Sequence, residues 1–368
     1  MRIVLATLLM SAALSAGLSA QTPVAQAPAA DARTVAQNLA ARLEASFVYP
    51  DRGKLYADTL RAKAAAGAYD ALSGAALAMK LTEDLQAVNP DGHLRVMFEG
   101  AGGPAMLGAG PMPGPGAAPG RMPMRRPPIT PIEHAGWIAP GIAYVRFNLF
   151  PGDPAIVAAA RAFMADHASA KTIIFDVRTH RGGGTDEMDA IFPWLYAKPT
   201  PLVAMATRKS VFDAGLSPLQ EGATLHRVQA DPAFVTLEHW AQPGRDQRLA
   251  KAKVYLLTSP RTASAAEHFA LALKATGRAT LIGGTTAGAN HFGGMEDVGG
   301  GFVAFVPVGR TYDPRTGKDW EGAGVAPDIE TKPEDALVKA LTLAGVAPET
   351  AATLSAKVAP TEPMVRRR

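Results

Sequence analysis

The sequence predicts an α/β protein with a mostly parallel sheet and crossover helices, preceded by a small helical N-terminal domain. Three observations predict it. The stretches "KTIIFDVR" (171–178) and "KVYLLT" (253–258) are continuous apolar runs, the pattern of strands buried on both faces. Each leads into a loop and then a helix, and strand–loop–helix repetition implies parallel strands joined by crossovers. Ahead of both, Val35, Leu39, Leu43 and Phe47 recur every four residues and give one apolar stripe along a helix.

The chain opens with "MRIVLATLLMSAALSAGLSAQ": a basic Arg2, an apolar run from Ile3 to about Leu14, and small residues at Ser19 and Ala20. That pattern predicts a secretory signal peptide over 1–20, cleaved after Ala20, and a secreted or periplasmic protein with no stable membrane span after its removal. The helical domain is expected over 31–99. Its first helix starts at Asp31 and is broken by "VYPDRG"; a second runs from about Lys54 to Ala66. A third starts near Ser73, carries Leu77, Leu81, Leu85 and Val88 on one face, and stops at "NPDG". "HLRVMF" (93–98) reads as a short strand. Residues 100–131 are rich in Gly, Pro and Met without periodicity, and read as a linker.

An α/β domain is expected over 132–344. "GIAYVRFNLF" (141–150) is a strand, and "DPAIVAAARAFMADH" (153–167) a helix with Asp153 as N-cap and Pro154 at its first position. The strand at 171–178 leads to a helix beginning "DEMDAIFPWLY". The strand at 253–258 leads to a helix from Ser264 to Thr276, ended by Gly277. "RATLIGG" and "GFVAFVPV" (301–308) are β segments, and "PEDALVKALTLA" (333–344) is a closing helix. Residues 345–368 read as a flexible basic tail.

Composition narrows the function. Without cysteine there is no disulfide framework, lipoprotein attachment site, thiolate metal site or cysteine nucleophile. The net charge of +4 sits in Arg2, in Arg121, Arg125 and Arg126 of the linker, and in the tail, which leaves the remainder near −2. A basic groove for nucleic acid is therefore not expected. There is no H-E-x-x-H, no convincing carboxylate–histidine ligand spacing and no phosphate-binding G-x-x-x-x-G-K-[ST], so neither a metal nor a cofactor is expected.

In parallel sheets the site lies beyond the carboxyl ends of the strands, where "DVRTHRGGGTD" and "TSPRTASAAE" fall. Ser264 opens a helix, which on its own fits an N-cap. Its neighbours Ala263, Ala265 and Ala266 are small, and the Ala265 amide lies in the first turn, where it lacks an intrahelical acceptor and is able to serve an oxyanion. The glycines of "RGGG" (181–184) allow backbone amides the same close approach. Asp176 and Arg178 read as an ion pair bracing that loop. A serine nucleophile needs a base, and there are eight histidines. His268 is expected to point back along the serine's own helix rather than into a cleft. His93, His180 and His291 lie in turns or loops, and the residues alone do not choose among them.

These stretches resemble a known family. "TASAAEHFALALKATGRATLIGGTTAGA" is similar to the nucleophile segment of the tail-specific, C-terminal processing serine peptidases. "FDVRTHRGGG" resembles their D-x-R-x-N-x-G-G loop with His180 in place of asparagine, and "DWEGAGVAPDIE" (319–330) their W-E-G-x-G-V-x-P-D-I segment. The helical region resembles that of the interphotoreceptor retinoid-binding-protein-like and tricorn-core-like branch. The resemblance implies a ClpP/crotonase-like spiral of β-β-α units, with Ser264 as nucleophile and Ala265 with Gly182 or Gly183 as oxyanion hole. Where the processing branch has a catalytic lysine this chain has Ala289, so the Ser–Lys pair is absent. The tricorn-like pattern implies His93 as base and Glu321 as its partner, with Gly92 where that pattern has a serine. The PDZ domain that many processing peptidases insert is missing, so tail-specific recognition is not implied. The expected activity is cleavage of peptide bonds in peptides or unfolded proteins. The alternative is a non-catalytic module binding hydrophobic ligands on the same scaffold, and a small-substrate esterase would share the site chemistry.

Overall fold

The computed structural model describes residues 31–99 and 129–365. The expected signal peptide and most of the expected linker lie outside them. Three helices come first: α1 (Ala32–Ser46), α2 (Pro50–Ala65) and α3 (Gly74–Val88). Asp31 caps α1 by accepting from the Arg33 amide, and Pro50 takes the first position of α2, where a missing N–H costs nothing. Strand β1 (Arg95–Phe98) follows. Then come β2 (Ile132–Ala139), β3 (Ile142–Phe147), α4 (Pro154–Asp166), β4 (Thr172–Asp176) and α5 (Asp186–Leu195). The middle of the chain forms β5 (Thr200–Arg208), α6 (Lys209–Asp213), β6 (Leu225–Val228) and β7 (Phe234–Ala241). The last part holds β8 (Lys253–Thr258), α7 (Ala265–Ala275), β9 (Thr280–Gly283), β10 (Phe292–Gly299), β11 (Phe302–Tyr312), β12 (Ile329–Glu330), α8 (Ala336–Leu343) and α9 (Pro348–Lys357).

One six-stranded sheet has the order β12-β9-β8-β4-β3-β2 and is parallel except where β2 pairs β3. Its strands are apolar on both faces, as their runs predict. Ala143, Val145, Phe147, Ile173, Phe175, Val254 and Leu256 point to a core shared with α4, α5 and α7. The alternate residues Ile142, Tyr144, Ile174, Tyr255 and Leu257 point to a core shared with α8 and α9. Helices on both faces are what a parallel sheet requires.

A second six-stranded sheet was not expected. It runs β1-β11-β5-β7-β6, with β10 also on β11, and every pairing is antiparallel. The three N-terminal helices pack on it: Leu39, Leu43, Leu60, Leu81 and Leu85 share one core with Val298, Phe302, Ala304, Val306 and Val308. Burying each such side chain contributes about 1.5–3 kcal/mol, so the helices and this sheet stand or fall together.

The segment 345–368, expected as a flexible tail, is a helix over much of its described length. Pro348 starts α9, and Ala351 and Leu354 face the α8 core. Beyond it, Arg146 donates to the Val358 carbonyl and Arg181 pairs with Glu362. Among the described residues, no helix is long and apolar enough to cross a membrane.

Candidate active site

The loops after β4 and β8 lie side by side because the strands do, with Asp176 paired to Leu257. They are laced together. The Thr262 hydroxyl donates to the Val177 carbonyl at 2.8 Å, the Ser259 hydroxyl to the Arg178 carbonyl at 2.5 Å, and the Ala263 amide to the His180 carbonyl at 3.1 Å. Asp176 is fully buried and takes a two-pronged bond from Arg178 and further bonds from Arg146 and Tyr144. Burial pushes its carboxyl up, but the two guanidiniums outweigh that and hold it well below the ordinary range. The brace expected between Asp176 and Arg178 is therefore present.

Ser264 sits at the N-terminus of α7 with φ 57° and ψ −118°. Among the described residues it is the one non-glycine residue with positive φ. Such a conformation costs on the order of 1–3 kcal/mol and persists only where the surroundings enforce it. The enforcing group is Glu267, which the sequence reading did not single out. Its buried carboxylate accepts from the Ser264 amide (2.8 Å), the Ala289 amide (2.9 Å), the Gly288 amide (2.7 Å) and the Thr286 hydroxyl (2.6 Å). Ser-x-x-Glu before an apolar helix is the sequence signal that finds it.

Gly182 and Gly183 have φ of 113° and 133°, open to glycine alone. A Cβ on Gly182 would stand 2.8 Å from the Ser264 Cβ, so the loop lies directly against the serine. The two amides differ in availability. Gly182, expected as a possible oxyanion donor, gives its N–H to His180 Nδ1 at 3.0 Å. Gly183 and Ala265 line the same cleft as Ser264. His180 is thereby removed as a base. It is fully buried, its Nδ1 is spent on Gly182, and burial pushes its pKa down to about 3.

His93 lies in the turn between α3 and β1. Its ring stacks on Phe305 with centroids 5.2 Å apart, and its amide donates to Asp91 Oδ1 at 2.8 Å. The turn is docked onto the loop that carries Ala289. A Cβ on Gly92 would lie 2.9 Å from the Ala289 Cα, which explains why glycine rather than serine precedes His93. Glu321 fastens both sides, accepting from the Gly92 amide through Oε1 at 2.6 Å and from the Asn290 amide through Oε2 at 2.6 Å. The expected partner of His93 thus reaches its turn through the backbone.

His291 belongs to the same junction. Its Nδ1 meets Asp91 Oδ2 at 2.6 Å, with Glu321 at 3.8 Å. Asp91, His291 and Glu321 each place a ligand atom within 4.8 Å of the others. His291 Nδ1 and the oxygens of Asp91 and Glu321 are committed to one another and to backbone amides, while His291 Nε2 has no hydrogen-bond partner among the described residues; the cluster latches the helical region to the loop after β9. Burial lowers the His291 pKa, but the bond to Asp91 and the charges of Asp91, Glu321 and Asp319 outweigh it, and the net direction is up. Burial raises Asp91, but His291 and the amides of His93 and Leu94 outweigh it, and the net direction is down.

For His291, the stabilisation is complete below the ordinary imidazole range and is lost as pH rises through the raised value. For Asp91, it is present above the ordinary carboxyl range and lost as pH falls through the lowered value. Between about pH 6 and about pH 9, the wild-type chain is expected to lose more stability than His291→Gln, read from urea unfolding midpoints. Parallel pH dependences in the two chains would remove the latch.

Ser264, Ala265 and Gly183 open on a cleft of about 310 Å³ between the two sheets, walled in part by Met188, Met205, Leu225 and Phe292. That volume accommodates one large side chain with its flanking backbone. His268 also lines it, contrary to the expectation that its ring turns away. Side chains on a helix lean toward its N-terminus, and here that direction is the cleft.

The profile of peptidase family S41 matches residues 141–331. Among solved structures, the chain is similar to a photosystem II D1 C-terminal processing protease at 20% identity and a TM-score of 0.44. The match covers 64% of this chain and 55% of that protein, so the chain spans about half of its length. A protein from Parabacteroides merdae, assigned provisionally as a peptidase, matches at 16% identity and a TM-score of 0.58, over 86% of this chain and 98% of that one. A lipoprotein from Streptococcus agalactiae matches at 11% identity and a TM-score of 0.51, over 85% and 96%. At these identities the structural likeness concerns the fold. The profile match runs over more than half of the chain and takes in both loops that meet at Ser264, and by it the protein belongs to peptidase family S41.

Proposed function

We propose that the protein is an exported serine-type peptidase acting on peptides or unfolded proteins. The observation that carries the reading is Ser264 itself. It is a serine held in a strained turn of positive φ at a helix N-terminus, and it lines one cleft together with Gly183 and Ala265. Ser264 Oγ attacks the scissile carbonyl, and the oxygen that becomes negative is met by those two amides. His93 takes the serine proton and returns it to the leaving amine. Glu321 fixes the turn that carries His93 by accepting from the Gly92 amide. With Ala289 at the lysine position, no lysine is available there for the task.

A fluorophosphonate probe is expected to label the wild-type chain and not Ser264→Ala. Ser264→Ala should also lose hydrolysis of an unfolded protein substrate while keeping its thermal unfolding transition. His93→Ala is expected to slow both labelling and hydrolysis about 10²–10⁴-fold. Hydrolysis by Ser264→Ala at the wild-type rate would overturn the reading. A wild-type chain that resists the probe but takes up a hydrophobic ligand would favour the binding module.

A further inference from the structure

The cleft holds a second set of polar groups that the peptide-cleaving set does not use. His268 Nε2 meets His239 Nδ1 at 2.8 Å, and His239 Nε2 meets Asp189 Oδ1 at 2.8 Å. The Asp189 Oδ2 accepts from the Thr224 hydroxyl at 3.0 Å. Both rings are buried, whereas the Asp189 side chain is 28% exposed at the outer end of the chain of bonds. The three residues come from α5, β7 and α7, so nothing local in the sequence forces them together. Building such a relay into a core costs desolvation at every member, and an apolar core would be cheaper.

We propose that Asp189, His239 and His268 form the base of a specificity subsite that selects a substrate side chain ending in a hydrogen-bond donor. This rests on the peptidase reading of the Ser264 cleft. The polarity follows from the bonds. A carboxylate only accepts, so with one proton on each ring His239 carries its proton on Nε2, facing Asp189. His239 Nδ1 is then an acceptor, and His268 places its proton on Nε2 to meet it. His268 Nδ1 is left as a lone pair. Burial, and after it the neighbouring His239, push the His268 pKa well below its ordinary value, which keeps that lone pair available. The ring lies one turn beyond Ser264, so it reads the substrate residue next to the bond being cut. The walls of Met188, Met205 and Leu225 suit an apolar shaft, and the His268 acceptor suits a hydroxyl or amide N–H at its tip. His268 would touch the substrate. His239 and Asp189 act through it and are positioning residues.

The test uses the full chain and fluorogenic peptides in matched pairs, Tyr against Phe, Thr against Val and Gln against Met, placed on either side of the scissile bond. At one of the two positions the donor-bearing member is expected to be cleaved with a kcat/KM at least about tenfold higher. That ratio should fall toward one in His268→Leu, recover in part in His268→Gln, which restores an acceptor, and fall in Asp189→Asn, which no longer fixes the tautomers. The wild-type ratio alone is decisive if a variant does not fold. Equal cleavage of both members by a wild-type chain whose Ser264 is labelled by fluorophosphonate would overturn the subsite and leave the peptidase reading standing. A wild-type chain that is neither labelled nor active would overturn both.

Discussion

Gly183→Ala is expected to lower kcat on an unfolded protein substrate by at least about 10²-fold. Residues 182–184 lie against Phe150 in a short parallel bridge: the Phe150 amide donates to the Gly182 carbonyl at 3.0 Å, and the Gly184 amide to the Phe150 carbonyl at 2.8 Å. A Cβ on Gly183 would stand 1.8 Å from the Phe150 carbonyl oxygen, and φ of 133° is closed to an L side chain. Neither conflict is relieved by turning a rotamer, because both atoms belong to backbone. The loop has to move, and the Gly183 amide moves with it. Donors held about 1 Å out of place contribute little to an oxyanion, so fluorophosphonate labelling should slow along with hydrolysis. Thermal unfolding should shift down as the bridge is lost. Wild-type kinetics in Gly183→Ala would exclude this amide from the oxyanion hole.

Glu267→Gln is expected to cost on the order of 2–4 kcal/mol of stability, although it changes one atom. Every partner of this buried carboxylate is a donor: three backbone amides and the Thr286 hydroxyl. A glutamine must aim its own N–H groups at two of them, so bonds are exchanged for repulsion and for donors buried without an acceptor. The Ser264 amide is one of the four, and the strained turn relaxes once its restraint is gone. Urea unfolding should show the loss, and the labelling rate of Ser264 should fall even below the transition. The exposed Glu334→Gln is the control, and should stay within about 0.5 kcal/mol of wild type. Equal midpoints for the two variants would show that Glu267 does not hold the turn.

Much of the scaffold was legible in single residues. The apolar runs that became β4 and β8 have no alternation because both faces are covered, and that placed the two loops where the serine lies. The glycines of 182–184 and the alanines around Ser264 announced close backbone packing, and the Gly182–Ser264 contact is of that kind. Glu267 was passed over: Ser264 and Glu267 have the spacing of a capping box, and a cap looks the same as a restraint on Ser264 until Thr286 and Gly288 arrive from another loop. The antiparallel sheet was harder. Its strands β5, β6 and β7 fall between 200 and 241, where short segments and polar interruptions blur the period. Asp189 and His239 are separated by 50 residues, and no spacing rule joins them. Gly92 looked like a departure from a pattern, and only the nearness of Ala289 gives it a reason.

That nearness bears on which parts of the site depend on the side chain at 289. The loop at 288–289 is tied to Glu267 by the backbone amides of Gly288 and Ala289; position 288 needs glycine, because its φ is 76° and a Cβ would stand 2.8 Å from the Gly322 carbonyl carbon, whereas the bond at 289 uses no side chain. The turn that strains Ser264 therefore does not depend on which side chain position 289 carries. The support of Ser264 would be the same with a lysine at 289 as with the alanine that stands there, because the bond to Glu267 comes from the amide. Under the proposed mechanism, the group that holds Ser264 and the group that takes its proton are thus separate parts of the chain, Glu267 on α7 and His93 in the turn before β1.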